Sequence, residues 1–235
     1  MGRFLRHGPC SNCGSRDNVA IYSDGSSYCF GCGDTGKSKI AKWFITEEET
    51  KRALLPEDVT LLTSGVGFDW VTQYELTPKD IVKNNILWSE SRQQVIYPWY
   101  DSTGALLAYQ ARNFIRDEKH RKYFSQGNLS DLLPIYQSVP SSDTLVLVED
   151  VISAIKISHF KDSMPCLSSK VPTLKLNRLA GLYRAFLIWL DHDMYKNAMK
   201  MQEKLELLGC KASVILTEKD PKELPYDEIK CLTNS

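Results

Sequence analysis

No run of apolar residues in this chain approaches the roughly 18–20 needed to span a bilayer, and the first residues lack the charged-then-apolar pattern of a secretory signal. A membrane or secreted protein is therefore not expected. Net charge is absent too: 29 Lys+Arg are offset by 29 Asp+Glu among 235 residues. That balance argues against a uniformly basic nucleic-acid coat but leaves local patches open. The one Gly-x-x-x-x-Gly-Lys-Ser/Thr string, Gly31–Ser38, contains Cys32 of a Cys-x-x-Cys pair, so it reads as part of a cysteine knuckle and no P-loop motor is expected in these residues. What is present is a hydrophobic fraction of 43%, which fits one or two globular domains. There are also seven cysteines, an odd number that does not fit a disulfide framework. In a reducing cytosol, clustered cysteines more often bind metal.

Four of the seven form two Cys-x-x-Cys pairs, Cys10-Ser-Asn-Cys13 and Cys29-Phe-Gly-Cys32, with fifteen residues between them. Each pair predicts a tight knuckle, and the intervening residues are long enough for a hairpin that brings the pairs together. Gly14 and Gly33 follow the knuckles where φ > 0 is needed. Val19–Tyr22 and Ser27–Phe30 are the expected strands around a turn at residues 23–26. Four thiolates leave no open coordination position, so a zinc ion here folds the module; about 10–16 kcal/mol of binding would supply what so small a core cannot. Cys166, Cys210 and Cys231 are ordinary thiols in this reading. Arg3, Arg6, His7, Arg16 and Lys37 surround the module, with Tyr22, Tyr28 and Phe30 among them. Basic residues interleaved with aromatics hold single-stranded nucleic acid; core aromatics with a solvated charged rim are the competing reading.

Residues 36–56 read as a partly helical linker, with an amphipathic stretch around 40–44 and the acidic run Glu47-Glu48-Glu49. Thr77-Pro78 predicts an N-capped helix over about 78–84. Gln94–Tyr100 and Ala105–Ala111, joined by Asp101-Ser102-Thr103-Gly104, predict a β-hairpin. After it comes the most basic stretch of the chain, Arg112, Arg116, Lys119, His120, Arg121 and Lys122. It is either a solvated loop or a place where guanidinium and ammonium groups, with Lys122-Tyr123, converge on a polyphosphate.

From Thr144 onward, apolar β-rich segments (Thr144–Val148, Met164–Leu167, Phe186–Leu190, Ala212–Leu216) alternate with helical ones (Val151–Phe160, Thr173–Tyr183, Met194–Leu208). The pattern predicts a small parallel sheet with right-handed crossovers. Glu149, Asp191, Asp193 and Asp220 follow the carboxyl ends of three of these strands, where open α/β sheets place their ligand sites. Clustered carboxylates repel one another unless a cation neutralises them, and hard oxygen ligands suit Mg²⁺ or Mn²⁺.

Leu145-Val-Leu-Val-Glu149, Trp189-Leu-Asp191-His-Asp193 and Lys219-Asp220-Pro221 together resemble the Toprim fold of primases and topoisomerases. The order of ribbon, linker, basic hairpin and Toprim is similar to the primase half of phage primase–helicases and, more distantly, to bacterial DnaG-type primases. His7-Gly-Pro-Cys10-Ser-Asn-Cys13-Gly-Ser and Ser23-Asp24-Gly25 look closest to the phage form. The resemblance covers nearly the whole chain. It implies an α/β (α+β overall) protein with a zinc ribbon at 1–35, a linker at 36–56, an N-terminal subdomain of an RNA polymerase core at 57–143 and a Toprim subdomain at 144–235. It implies a DNA primase that uses two or more Mg²⁺ or Mn²⁺ ions held by Glu149, Asp191 and Asp193, with Asp220 a further metal-site carboxylate. Arg112, Lys122 and Tyr123 would contact nucleotides and primer, and His7, Asp24 and Arg16 the template. Partners would be single-stranded DNA, ribonucleoside triphosphates, the RNA primer, a separate replicative helicase and a DNA polymerase, in the host cytoplasm. Non-catalytic RecR-like accessory proteins and Toprim nucleases are the rival classes. The chain departs from the family at Asp150, Ser168 and Lys196, where glycines are usual, and at Ser26, where phage relatives carry histidine.

Overall fold

A computed structural model describes residues 4–22, 24, 26–37, 53–115, 121–129, 132–167 and 171–234. The chain divides into two compact units, Met1–Arg52 and Ala53–Ser235. The expected helical stretch at 40–44 lies outside the described residues. No described helix is long and apolar enough to cross a membrane.

The first unit is a four-stranded antiparallel sheet in sequence order, β1 (Phe4–Gly8), β2 (Val19–Tyr22), β3 (Ser26–Cys29) and β4 (Thr35–Lys37). The hairpin β2–β3 is the one the sequence predicts; β1 and β4 flank it and were not foreseen. Because β4 pairs with β3 through Lys37, the ribbon runs two residues past the expected boundary at 35.

In the second unit, β5 (Val59–Leu61), β6 (Leu87–Ser89), β7 (Gln94–Tyr100), β8 (Leu106–Asn113) and β9 (Tyr123–Gly127) form an antiparallel sheet in that order. Ala53 and Pro56 are already buried, and Ala53 packs with Leu87, Ile96 and Tyr109, so residues 53–56 belong to this unit and not to the linker. Helices α1 (Gly65–Thr72) and α2 (Pro78–Lys83) join β5 to β6. The predicted cap of α2 is present as a reciprocal box: Thr77 Oγ1 accepts from Asp80 N, and Asp80 Oδ2 accepts from Thr77 N. Helix α1, rich in glycine and β-branched residues, has no such local signal and forms because it packs. At Gly67 a Cβ would lie 2.7 Å from both the Trp88 ring and Val95 Cγ2. Gly67→Ala gains about 1 kcal/mol of helix propensity but overpacks this contact, so a net loss of about 1–2 kcal/mol is expected. Thermal denaturation would read it as a Tm lower by about 2–6 °C.

The parallel sheet has the order β11–β10–β12–β13, from β10 (Thr144–Val148), β11 (Asp162–Pro165), β12 (Ala185–Trp189) and β13 (Lys211–Val214). Along β10, Leu145 and Leu147 face one core with α4 (Thr173–Ala180) and α5 (Tyr195–Leu207). Val146 and Val148 face the other with α3 (Val151–Ile157) and α6 (Tyr226–Thr233). Every residue of α3 is buried, because its second side (Val151, Ile152, Ile155) packs against Val95 and Tyr97 of the antiparallel sheet. That shared helix fixes the two sheets relative to each other.

The helices end up to three residues earlier than the sequence predicts, and β11 starts two residues earlier. The reason for the strand is Asp162, fully buried at its start. Its carboxylate accepts five hydrogen bonds, from Ser138 N and Oγ, Ser141 Oγ, Ser142 N and Tyr183 Oη, at 2.8–3.1 Å. Burial pushes this carboxyl up, but the donors outweigh it and hold it below its ordinary value. As the pH falls, the unfolded chain therefore takes up a proton before the folded one, and the stabilisation is lost through the folded value. Asp162→Asn should lower stability by about 2–3 kcal/mol at neutral pH. Its urea midpoint should then fall less steeply than the wild type's below about pH 4.

Candidate active site

The strand order places the ends of β10 and β12 side by side, with Val148 opposite Trp189. Glu149 follows the first of these strands directly. Asp191 caps a single 3-10 turn, His192–Met194, that carries Asp193, and Asp220 precedes another, Pro221–Glu223. Trp189 Nε1 donates to Thr217 Oγ1, which donates to Lys219 O, both at 2.8 Å, tying the loop that carries Asp220 to the end of β12. The four expected carboxylates thus share one rim.

Their charges act on one another. Burial pushes Glu149 up, and the charges of Asp193, Asp150 and Asp220 add to it. Burial, Glu149 and Asp220 raise Asp191 to about 7. Asp191 Oδ1 is buried with no hydrogen-bond partner. An orphaned acidic oxygen among mutually repelling carboxylates fits a hard divalent cation. Among the described residues, only the four ribbon cysteines bring three or more such donor atoms within 4.8 Å of one another, so the carboxylates stand wider apart than a closed single-ion cage.

Two lysines belong to this rim. Lys222 Nζ donates to Asp220 Oδ2 at 2.5 Å and to Asp150 Oδ2 at 3.1 Å. Burial opposes its charge, but Asp150 and Asp220 outweigh that and hold the ammonium well above its ordinary range. Asp150 is committed elsewhere as well: it caps α3, accepting from Ser153 N and Oγ. Lys156, 1% exposed, reaches from α3 to Lys222 O at 3.0 Å and Leu224 O at 2.6 Å and pairs with Glu75 at 2.7 Å. It therefore fixes the backbone that follows Asp220.

The basic strand ends meet this rim. Val95, Arg112 and Tyr123 are in register on β7, β8 and β9, on the face that packs toward α3. The Arg112 guanidinium lies 4.1 Å over the Trp70 ring and 5.6 Å over Tyr123, donates to Tyr123 Oη at 3.3 Å, and leaves Nε buried and unpartnered. Burial pushes the Tyr123 hydroxyl up and the Asp150 charge adds to this, with Arg112 and Lys222 opposing. Arg112 and Tyr123 are thus held beside the carboxylates, Arg112 as an aromatic-stacked cation and not as a free surface group. Lys122 is exposed, its Nζ 5.6 Å over the Tyr123 ring. On the other face of β8 and β9, Arg92, Gln94, Asn113 and Arg121 line a cleft of about 510 Å³. Arg116, Lys119, His120 and Ser168 lie outside the described residues, and Lys196 is exposed at the start of α5.

In the ribbon, Cys10 Sγ lies 3.7 Å from Cys32 Sγ and Cys13 Sγ 3.7 Å from Cys29 Sγ. Sulfurs at about 2.3 Å from a tetrahedral zinc ion are about 3.8 Å apart, so the four thiols fit that ion. Gly14 and Gly33 hold φ of +71° and +73° and donate from N to the carbonyls of Cys10 and Cys29. Phe4, His7, Phe30 and Tyr28 form a chain of rings 5.0–6.2 Å apart, and all four are exposed. Tyr22 joins it through Phe4. The aromatics are therefore a surface strip and not a core. Arg16 and Asp24, both exposed, lie at opposite ends of β2. Asp24 Oδ1 accepts from Ser26 N and Oγ, closing the hairpin turn.

Sequence reasoning missed Phe4, Lys156 and Lys222. Lys156 had a signal, a lysine between isoleucines in an otherwise apolar helix; Lys222, one of 29 basic residues, had none.

No protein-family model matches the chain. Over 170 residues, 68% of its length, it is 59% identical to a DNA helicase/primase of Enterobacteria phage T3, and the match spans 28% of that relative. The structure is similar to the primase fragment of the Bacteriophage T7 primase-helicase protein, with a TM-score of 0.52 and 15% identity over 99% of this chain and 98% of that one. It is also similar to the zinc-binding and RNA polymerase domains of the Aquifex aeolicus primase, with a TM-score of 0.58 and 15% identity over 99% and 80%. The fold is that of these primase fragments, ribbon and parallel sheet included.

Proposed function

We propose that this chain, which carries the primase fold and is related in sequence to a phage helicase/primase, is a DNA primase that starts short RNA primers de novo on single-stranded DNA. The observation that carries the reading is the meeting of an acidic strand-end rim with Arg112 and Tyr123, in a chain that also bears a four-cysteine ribbon. The sequence match covers about a quarter of the relative, 28%, yet the chain spans 98% of a primase fragment, which supports the primase part and not the helicase part.

Glu149, Asp191 and Asp193 would hold divalent ions, which supply activation of a 3′-hydroxyl and neutralisation of a triphosphate and its departing pyrophosphate. Arg112, locked on Trp70, offers a guanidinium that need not reorganise when a phosphate arrives. Lys122 offers a mobile ammonium beside it. The exposed ring strip Phe4–His7–Phe30–Tyr28 suits stacking on template bases. A duplex of a few base pairs dissociates readily, so a second binding module on the same chain raises its effective concentration. Whether in trans or as part of a longer chain, a helicase and a DNA polymerase are the partners this role requires.

Incubation with single-stranded templates of varied sequence, four ribonucleotides and Mg²⁺ or Mn²⁺ tests the reading. Labelled oligoribonucleotides complementary to the template are expected. Shortened template with no new RNA would assign a Toprim nuclease instead, and template binding with neither product would assign an accessory protein.

A further inference from the structure

The carboxylate rim contains a cation of its own. Lys222 Nζ sits between Asp150 and Asp220, its side chain only 15% exposed. Each of the three groups is anchored: Asp150 as the cap of α3, Lys222 by the hydrogen bond its carbonyl accepts from the ammonium of buried Lys156, and Asp220 by its place before the buried Pro221. An ammonium 2.5 Å from Asp220 Oδ2 and a divalent ion on the same oxygen, at about 2.0–2.1 Å for Mg²⁺, would be two cations a few ångströms apart. The remaining end of the rim, where Asp191 Oδ1 is buried and unpartnered, has no lysine bonded to it among the described residues.

We propose that Lys222 is the resident counter-ion of this rim: it occupies the Asp150–Asp220 end in place of a divalent ion. The protein alone then binds a single Mg²⁺ or Mn²⁺ at the Asp191 end of the rim, with water completing its coordination. The presence of Asp150, where the family usually has glycine, is explained in the same stroke, because Asp150 is half of the lysine's seat. Asp220 anchors Lys222 and does not ligate metal in the free protein. A second ion for the reaction must come with the phosphates of the nucleotide. The location of the metal site rests on the primase reading; the count of ions does not depend on whether RNA is made.

The test is Mn²⁺ binding to the zinc-loaded full chain without nucleotide, followed by electron paramagnetic resonance of the free ion. One bound Mn²⁺ is expected for the wild type and for Asp150→Asn, which keeps the helix cap. Lys222→Met, which keeps the apolar stem and removes the charge, should bind two, and Lys222→Met with Asp150→Asn should return to one. Two ions on the wild type, loss of its single ion in Asp150→Asn, or an unchanged count in folded Lys222→Met would each overturn the proposal. The wild-type and Asp150→Asn counts decide even if Lys222→Met does not fold. Failure of the primase reading would show separately, as absence of RNA from a protein whose ion counts follow this pattern.

Discussion

Asp191→Ala should abolish primer synthesis, lowering it by about 10³-fold or more, while leaving the protein as stable as before or more so without metal. The two effects part because of how Asp191 is held. Its Oδ1 is buried and accepts no hydrogen bond, and Glu149 and Asp220 push against its charge, so its removal relieves repulsion in the folded protein. In the reaction the same carboxylate would fix an ion worth several kcal/mol of transition-state stabilisation, and each 1.36 kcal/mol is tenfold in rate. Asp193→Ala should behave alike. Asp220→Asn should lose less, because its Oδ2 is already given to Lys222. Primer yield and melting temperature, measured on the same preparations, check both halves; a variant that loses synthesis only because it melts earlier would contradict the assignment.

Cys29→Ser should unfold the ribbon and leave residues 53–235 folded. Cys29 is 1% exposed and its Sγ is 3.7 Å from that of Cys13, so a hydroxyl here removes a buried ligand from a site worth about 10–16 kcal/mol of folding free energy. A unit this small has too little apolar core to replace that. The second unit has hydrophobic clusters of its own and should keep its thermal transition. If the ribbon engages the template, initiation should fall by at least about tenfold in this variant, with divalent-ion binding at the rim unchanged. Chelating the zinc should reproduce the loss. Full initiation by a zinc-free protein would remove the ribbon from the mechanism.

These residues also show what can be read from a sequence. The cysteine spacing identified the four-thiol cluster because Cys-x-x-Cys encodes a local turn and the glycine after it a local φ. The parallel sheet was legible because strands buried on both faces are continuous apolar runs, as in Thr144–Val148. The capped helix at 78 was legible because the cap and its proline are neighbours. Helix α1 and the strands β1, β4, β5, β6 and β9 were not, because they exist through partners distant in sequence: Gly67 matters only once Trp88 and Val95 are beside it. The same holds within the site. Glu149, Asp191 and Asp193 stand out as acids that end apolar strands. Lys222 acquires meaning only when folding places it between Asp150, 72 residues earlier, and Asp220. Arg112 was picked for its charge, yet its cage of aromatic rings gathers residues from 70 to 123.

The most direct test of the central claim is the 5′ end of the RNA made on single-stranded DNA. A primase joins two nucleotides with no prior primer, so the product must keep the triphosphate of its first nucleotide. With the initiating ribonucleotide labelled on its γ-phosphate, label should appear in short oligoribonucleotides complementary to the template, and should disappear in Asp191→Ala. RNA that forms only by extending an added oligonucleotide, or fragments ending in a 5′-monophosphate, would contradict it.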